Sequence, residues 1–112
     1  MDTESVQLLR NAMTAYAQRR RAASSNLANL DTPGYDRVSV SFEEELQQAR
    51  RHSGSLRDQS EVEAHMEVED EAPVLENELM ALTDTQMRTR LASRALSEHF
   101  DLMRMGITGS AR

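Results

Sequence analysis

Cysteine is absent from the 112-residue sequence. That excludes disulfides, thiolate zinc sites and thiol nucleophiles. Lysine is absent too, and all thirteen basic residues are arginines. Aromatics make up only 4% and hydrophobic residues 38%, which is thin for a compact core because small domains already bury a modest fraction of their surface. Four glycines and two prolines are too few for a collagen-like or low-complexity chain. No run approaches the roughly 18 apolar residues of a membrane span. The acidic start Met1-Asp2-Thr3-Glu4-Ser5 lacks the basic and apolar regions of a cleaved signal peptide. The expectation is a chain that neither spans a membrane nor carries a general secretory signal, with a length that suits one small domain.

Charge divides what is there, within a net of −6. Residues 1–57 hold eight arginines and seven acids, residues 58–78 nine acids and no arginine, and residues 79–112 five arginines and three acids. The middle segment is acidic and poor in apolar residues, so alone it tends to be solvated or disordered.

The two ends read as helices. Val6, Leu9, Met13, Tyr16, Arg20, Ala23, Leu27 and Leu30 follow one another at alternating spacings of three and four, the pattern of a heptad seam with one charged interruption at Arg20. Leu75, Leu79, Leu82, Gln86, Thr89, Ser93, Leu96, Phe100, Met103 and Ile107 keep the same alternation. A second stripe runs through Met80, Met87, Leu91, Ala95, Leu102 and Met105. These methionines either fill a core or form an adaptable surface, and two stripes on one helix suggest two neighbours. Pro73 suits the first turn of this second helix, and Gly106 and Gly109 are expected to end it.

Between the helices, Thr32-Pro33-Gly34-Tyr35 predicts a type II turn: proline presets φ at the second position and glycine takes the positive φ of the third. Val38, Val40 and Phe42 alternate with polar residues as a short extended segment. Ser41 and Glu44 form a capping-box pattern for a small helix over 42–51. The expected fold is mainly α, with N- and C-terminal helices paired as an antiparallel coiled coil and a short extended segment and small helix between them. The expected divisions are 1–31, 32–72 and 73–112. An antiparallel pairing that sets Leu30 beside Leu82 would bring Arg20 to Thr89 and Ser93, and Val6 to Ile107.

Chemistry-bearing patterns are sparse. His52, His65 and His99 stand at no ligand spacing and read as solvated surface residues. Glu67, Glu69, Asp70 and Glu71 lack the glycine and spacing of a calcium loop. Arg19-Arg20-Arg21 fan around a helix, a small footprint for nucleic acid on an acidic chain.

The stretch Ser25-Asn26-Leu27-Ala28-Asn29-Leu30-Asp31-Thr32-Pro33-Gly34-Tyr35 resembles the A-N-x-x-T-P-G-Y signature of the bacterial flagellar axial proteins. The resemblance extends over "VSVSFEEELQ" and the C-terminal "ENELMALTDTQMRTRLASRALSEHFDLMRMGITG", but not over the acidic connector. It implies a structural protein with no enzymatic activity, no catalytic or metal residues, no cofactor, no nucleic acid and no small-molecule substrate. Asn26, Ala28, Asn29, Thr32, Pro33, Gly34 and Tyr35 would be its assembly motif. The resemblance also implies export without cleavage by the flagellar type III apparatus, and assembly as a helical tube in the periplasm. The implied partners are further copies of the chain, other rod proteins, a FliE-type adaptor and the membrane-ring protein. Two other classes use the same residues differently: a cytoplasmic helical adaptor or chaperone, and an arginine-rich regulator that binds nucleic acid.

Overall fold

The structure is a computed structural model that describes residues 3–110, with side chains described through residue 106. It runs α1 (Thr3–Ala28), β1 (Val38–Ser41), α2 (Glu43–His52), α3 (Leu56–Ser60), β2 (His65–Val68) and α4 (Leu75–Ser110). The protein is mainly helical, and its two long helices pack on each other. The shape is a slab of 65 × 30 × 14 Å, as expected for a 36-residue α4 that alone spans about 54 Å.

The helix pair is antiparallel. Asn26 near the end of α1 reaches Glu78 near the start of α4, while Arg19, a turn or two earlier, lines one cleft with Asp84 and Thr85. This register lies roughly two turns, or ~12 Å, away from the pairing of Leu30 with Leu82. Arg20 accordingly shares a groove with Leu82, Thr85, Gln86 and Thr89, whereas Ser93 sits further along α4 with its side chain exposed.

The buried stripes also differ from the expected seams. On α1 the buried residues are Ala12, Ala15, Ala22, Ala23 and Asn26. On α4 they are Glu78, Thr85, Ala92 and His99, seven residues apart. In both helices the covered stripe lies mainly one residue before the expected one. Val6, Leu9, Met13, Tyr16, Leu27, Leu30, Leu82 and Leu96 are half-buried, and Arg20, Ser93, Phe100 and Met103 are exposed. The side chain of Ile107 lies outside the described residues. Small side chains let two helix backbones approach closely, so the alanine stripe faces inward and the larger residues flank it. Met80, Met87, Leu91, Leu102 and Met105 stay exposed, so within the chain they do not fill a core. His99, expected at the surface, is buried with its ring edge-on to Phe100.

The segment between the helices folds onto α1. β1 pairs antiparallel with β2, matching Val38 to Val68 and Val40 to Met66. β2 and α3 arise inside or at the border of the acidic segment that charge alone marked as solvated. Phe42 closes the small core, packed against Ala12 and Ala15 with Leu8, Tyr16, Leu46, Val62 and Ala64 around it. Burying such a side chain contributes about 1.5–3 kcal/mol. Asn11 ties α3 down by donating from Nδ2 to the carbonyls of Ser60 at 2.8 Å and Val62 at 2.9 Å. Ser55 caps α3 by accepting from the Asp58 amide. Ser41 does not cap α2 with Glu44; its hydroxyl donates to both oxygens of Glu45, at 2.7 and 2.6 Å. Pro73 is buried just ahead of α4 rather than in its first turn, and the first α4 bond runs from the Glu78 amide to the Val74 carbonyl. The helix continues through Gly106 and Gly109 to Ser110, so neither glycine ends it.

Candidate assembly motif and interface

The junction between α1, β1 and α4 is built on Asn26, which is fully buried. Its Oδ1 accepts from the Val38 amide at 2.8 Å, and its Nδ2 donates to the Val38 carbonyl at 2.9 Å. The side chain thus pairs with Val38 as a neighbouring strand residue would. Nδ2 also donates to Glu78 Oε2 at 3.0 Å. Glu78 is buried as well, and its Oε1 accepts from Arg37 Nε at 2.8 Å. A buried carboxylate costs several kcal/mol unless it is paired and hydrogen-bonded, and here both oxygens are engaged. One asparagine therefore holds the end of α1, the start of β1 and the start of α4 together.

Asn29 has a different task. Its Nδ2 donates to the Ser25 carbonyl at 2.8 Å, a second bond to an oxygen that already accepts from the Asn29 amide at 3.1 Å. Its Oδ1 accepts from the Thr32 hydroxyl at 3.0 Å. The chain then turns at Thr32–Tyr35: the Tyr35 amide donates to the Thr32 carbonyl at 3.2 Å, and Gly34 sits at φ +75°. That is the type II geometry the four residues predict. Tyr35 folds back so that its hydroxyl lies 2.9 Å from Ser25 Oγ and 3.5 Å from Asn26 Oδ1. Leu30 is half-buried, and Ala28, Thr32, Pro33 and Gly34 are exposed at the tip. The motif residues are thereby brought together in one unit, with its two asparagines in separate roles.

A second polar group ties the middle of the helix pair to α2. Glu43 bridges Arg19 and Arg88. Arg19 also donates from Nε to the Val40 carbonyl at 3.2 Å, and Arg88 donates to Asp84 at 2.8 Å. Of the arginine triplet, then, Arg19 belongs to the fold, while Arg20 and Arg21 are exposed.

Sequence reasoning missed Glu78, Arg37 and Val38. A usable signal existed for Glu78: it starts the seven-residue series that continues through the small residues Thr85 and Ala92. Nothing in the order of residues marks Arg37 as its partner. Among the described residues no three of His, Asp and Glu are grouped to hold a metal ion, and no described helix is long and apolar enough to cross a membrane.

No curated protein matches the chain. Residues 7–35 do match the family model described as flagella basal body rod protein. The matched segment runs from the first turns of α1 through Tyr35, takes in Asn26, Asn29 and the whole glycine turn, and supports a structural role of the flagellar basal body rod kind.

Proposed function

We propose that this protein is a structural subunit of the bacterial flagellar basal body rod, and within the rod the proximal subunit FlgB. The observation that carries the reading is the Ala28–Tyr35 turn. It closes the segment similar to rod proteins and is locked through Asn26 to both long helices. The resemblance of "VSVSFEEELQ" and of the α4 sequence supports the proximal member in particular. A subunit of a tube needs contacts the monomer leaves open. Supporting this, Met80, Met87, Leu91, Leu102 and Met105 of α4 are exposed, and exposed apolar patches commonly mark interaction surfaces.

In this reading the chain's N- and C-terminal helices pair as a coiled coil that faces the inside of the tube. Val6, Leu9, Met13, Tyr16, Arg20, Leu27, Leu30, Leu82, Ser93, Leu96, Phe100, Met103 and Ile107 are the seam positions of that pair in this reading, beside the small-residue stripe that makes the closest approach. The chain is exported uncleaved by the flagellar type III apparatus and assembles in the periplasm. It meets its own copies, other rod proteins, a FliE-type adaptor and the membrane-ring protein. It performs no chemistry; the tube transmits torque and encloses the export channel.

Purified hook–basal bodies test this. The chain should be found in them, at the membrane-ring end of the rod, and deleting it should abolish swimming. A chain that stays in the cytosol while its deletion leaves motility intact would overturn the proposal in favour of a helical adaptor.

A further inference from the structure

The two edges of the β1–β2 ribbon are finished differently. Ladder alternation fixes the direction of each backbone group. The Glu69 amide donates to the Arg37 carbonyl at 2.9 Å, and Asn26 takes both the amide and the carbonyl of Val38. In the register that sets Val38 opposite Val68, Ser39 with Glu67 and Ser41 with His65 are therefore the hydrogen-bonded pairs. Val38, Val40, Met66 and Val68 turn their amides and carbonyls outward, away from the other strand. On β1 these outward groups are covered, those of Val38 by Asn26 and the Val40 carbonyl by Arg19 Nε at 3.2 Å. On β2 nothing among the described residues covers Met66 or Val68, and all four residues of the strand are exposed.

Strand alternation sorts the side chains as well. Val38, Val40, Met66 and Val68 share one face. Ala64, just ahead of β2, packs on the core around Phe42, whereas Met66 and Val68 run past that core and are 62% and 73% exposed. The opposite face carries His65, Glu67 and Glu69. Ser39 donates to Glu69 at 2.6 Å, while Glu67 is exposed and forms no ion pair among the described residues. Beside the start of β2, a groove of about 310 Å³ lies between Asn11, Thr14 and Gln18 of α1 and the Glu63–Ala64 segment. Gln18 holds a buried Oε1 with no hydrogen-bond partner, and a buried acceptor left unpaired calls for a donor.

We infer that β2 takes a third strand from another protein: an extended segment in which apolar residues alternate with arginine or lysine. The outward amides and carbonyls of Met66 and Val68 supply its main-chain bonds. Its apolar residues lie beside Met66 and Val68, and its basic residues lie beside Glu67 on the other face. Where it enters the groove, one of its N–H groups satisfies Gln18. A second copy of β2 is disfavoured as the occupant, because its Glu63, Glu67 and Glu69 would come against the same acids. β1 already shows the chemistry that fits: its valines share the face of Met66 and Val68, and its Ser39 hydroxyl meets an acid. A two-stranded ribbon is marginal in water, and a third strand strengthens it.

The test uses the purified full-length protein and the synthetic peptide TRVRVRVT. At saturating peptide, amide exchange at Met66 and Val68 should slow about tenfold, because strand addition bonds these alternate amides. Attraction between arginines and acids alone would not select those two. The peptide TRRRVVVT, of the same composition without alternation, and the acidic TEVEVEVT should bind about tenfold more weakly. Met66→Pro removes only an amide that the ladder does not use, so it should keep the circular dichroism of the wild type and lose about tenfold in affinity for TRVRVRVT. Should that variant unfold, TRVRVRVT methylated on its backbone nitrogens removes bonds from the partner side and should lose its binding to the wild type. Glu67→Arg should weaken TRVRVRVT and strengthen TEVEVEVT. Unchanged exchange at Met66 and Val68, equal binding of TRRRVVVT, or full binding by folded Met66→Pro or by the methylated peptide would overturn the third strand. So would protection of the two amides that grows with protein concentration alone, which would make a second copy the occupant. Presence of the chain in basal bodies is scored separately: incorporation without peptide binding leaves the rod reading standing and removes this site, and peptide binding without incorporation does the reverse.

Discussion

Asn26→Asp exchanges one NH2 for one oxygen and changes almost nothing in shape. Nδ2 now donates to the Val38 carbonyl at 2.9 Å and to Glu78 Oε2 at 3.0 Å. After the exchange, an acceptor faces two acceptors. Losing the two hydrogen bonds, one of them to a charged group, costs about 2–4 kcal/mol. The introduced carboxylate also sits beside Glu78, and like charges about 3 Å apart repel by about 5 kcal/mol at an effective dielectric of about 20. Arg37, 2.8 Å from the other Glu78 oxygen, offsets part of this. Asn26→Ala loses these two bonds and also the one from the Val38 amide to Oδ1, but adds no charge, so it costs about 3–5 kcal/mol. A domain of this length holds roughly 6–17 kcal/mol in total, so the aspartate variant approaches the limit of folding. The repulsion raises the folded-state pKa of the new carboxyl above its unfolded value. The folded state then binds more protons, so the variant loses stability as pH rises through that range and regains it as pH falls. Urea unfolding followed by circular dichroism at about pH 7 and about pH 4.5 measures this. The expected order at neutral pH is wild type, Asn26→Ala, then Asn26→Asp, with the last gap closing in acid. Combining Asn26→Asp with Glu78→Gln should recover stability relative to Asn26→Asp alone. If Asn26→Asp proves no less stable than Asn26→Ala at neutral pH, or if Glu78→Gln deepens its loss, the junction does not work as described.

Gly34 takes φ +75° with nothing within 4 Å of a Cβ placed there, so Gly34→Val strains the backbone alone, by about 1–2 kcal/mol. Gly34→Asn should cost visibly less, and equal costs in thermal unfolding would rule out the turn geometry. Ser41 hydrogen bonds hold the Glu45 carboxyl below its ordinary range, and desolvation opposes them only in part. A depressed folded-state pKa contributes stability above the unfolded carboxylate value and loses it as pH falls through the folded one. Ser41→Ala should therefore differ from wild type near neutral pH and converge with it in acid; a constant difference across a urea-unfolding pH series would refute this. Residues 101–106 of α4 are all exposed, whereas Thr85 and Ala92 are buried. Amide exchange in the monomer should accordingly be faster over 101–106 than over 85–96, and uniform protection along α4 would show that the end of the helix is covered.

Local order in this protein follows from neighbouring residues. The two long helices, the extended run at Val38–Val40, the small helix after it and the type II turn are all legible in residue order. Each depends on periodicity within a few turns or on the φ preferences of proline and glycine. Even β2 left a trace, since Val62, Ala64, Met66 and Val68 alternate with acids and a histidine; the charge of the segment obscured it. The strand needed β1 for its hydrogen bonds, and no property of residues 58–78 alone supplies that edge. Helix rotation was decided only in three dimensions. A heptad pattern specifies that every seventh residue shares a face, but α4 carries two such faces, one of large residues and one of Glu78, Thr85, Ala92 and His99. Close approach to the alanines of α1 selects the second, which leaves the large residues outward. Register was likewise settled by tertiary contact: the buried Glu78 carboxylate must meet both Asn26 and Arg37, and only one sliding position of the two helices allows it.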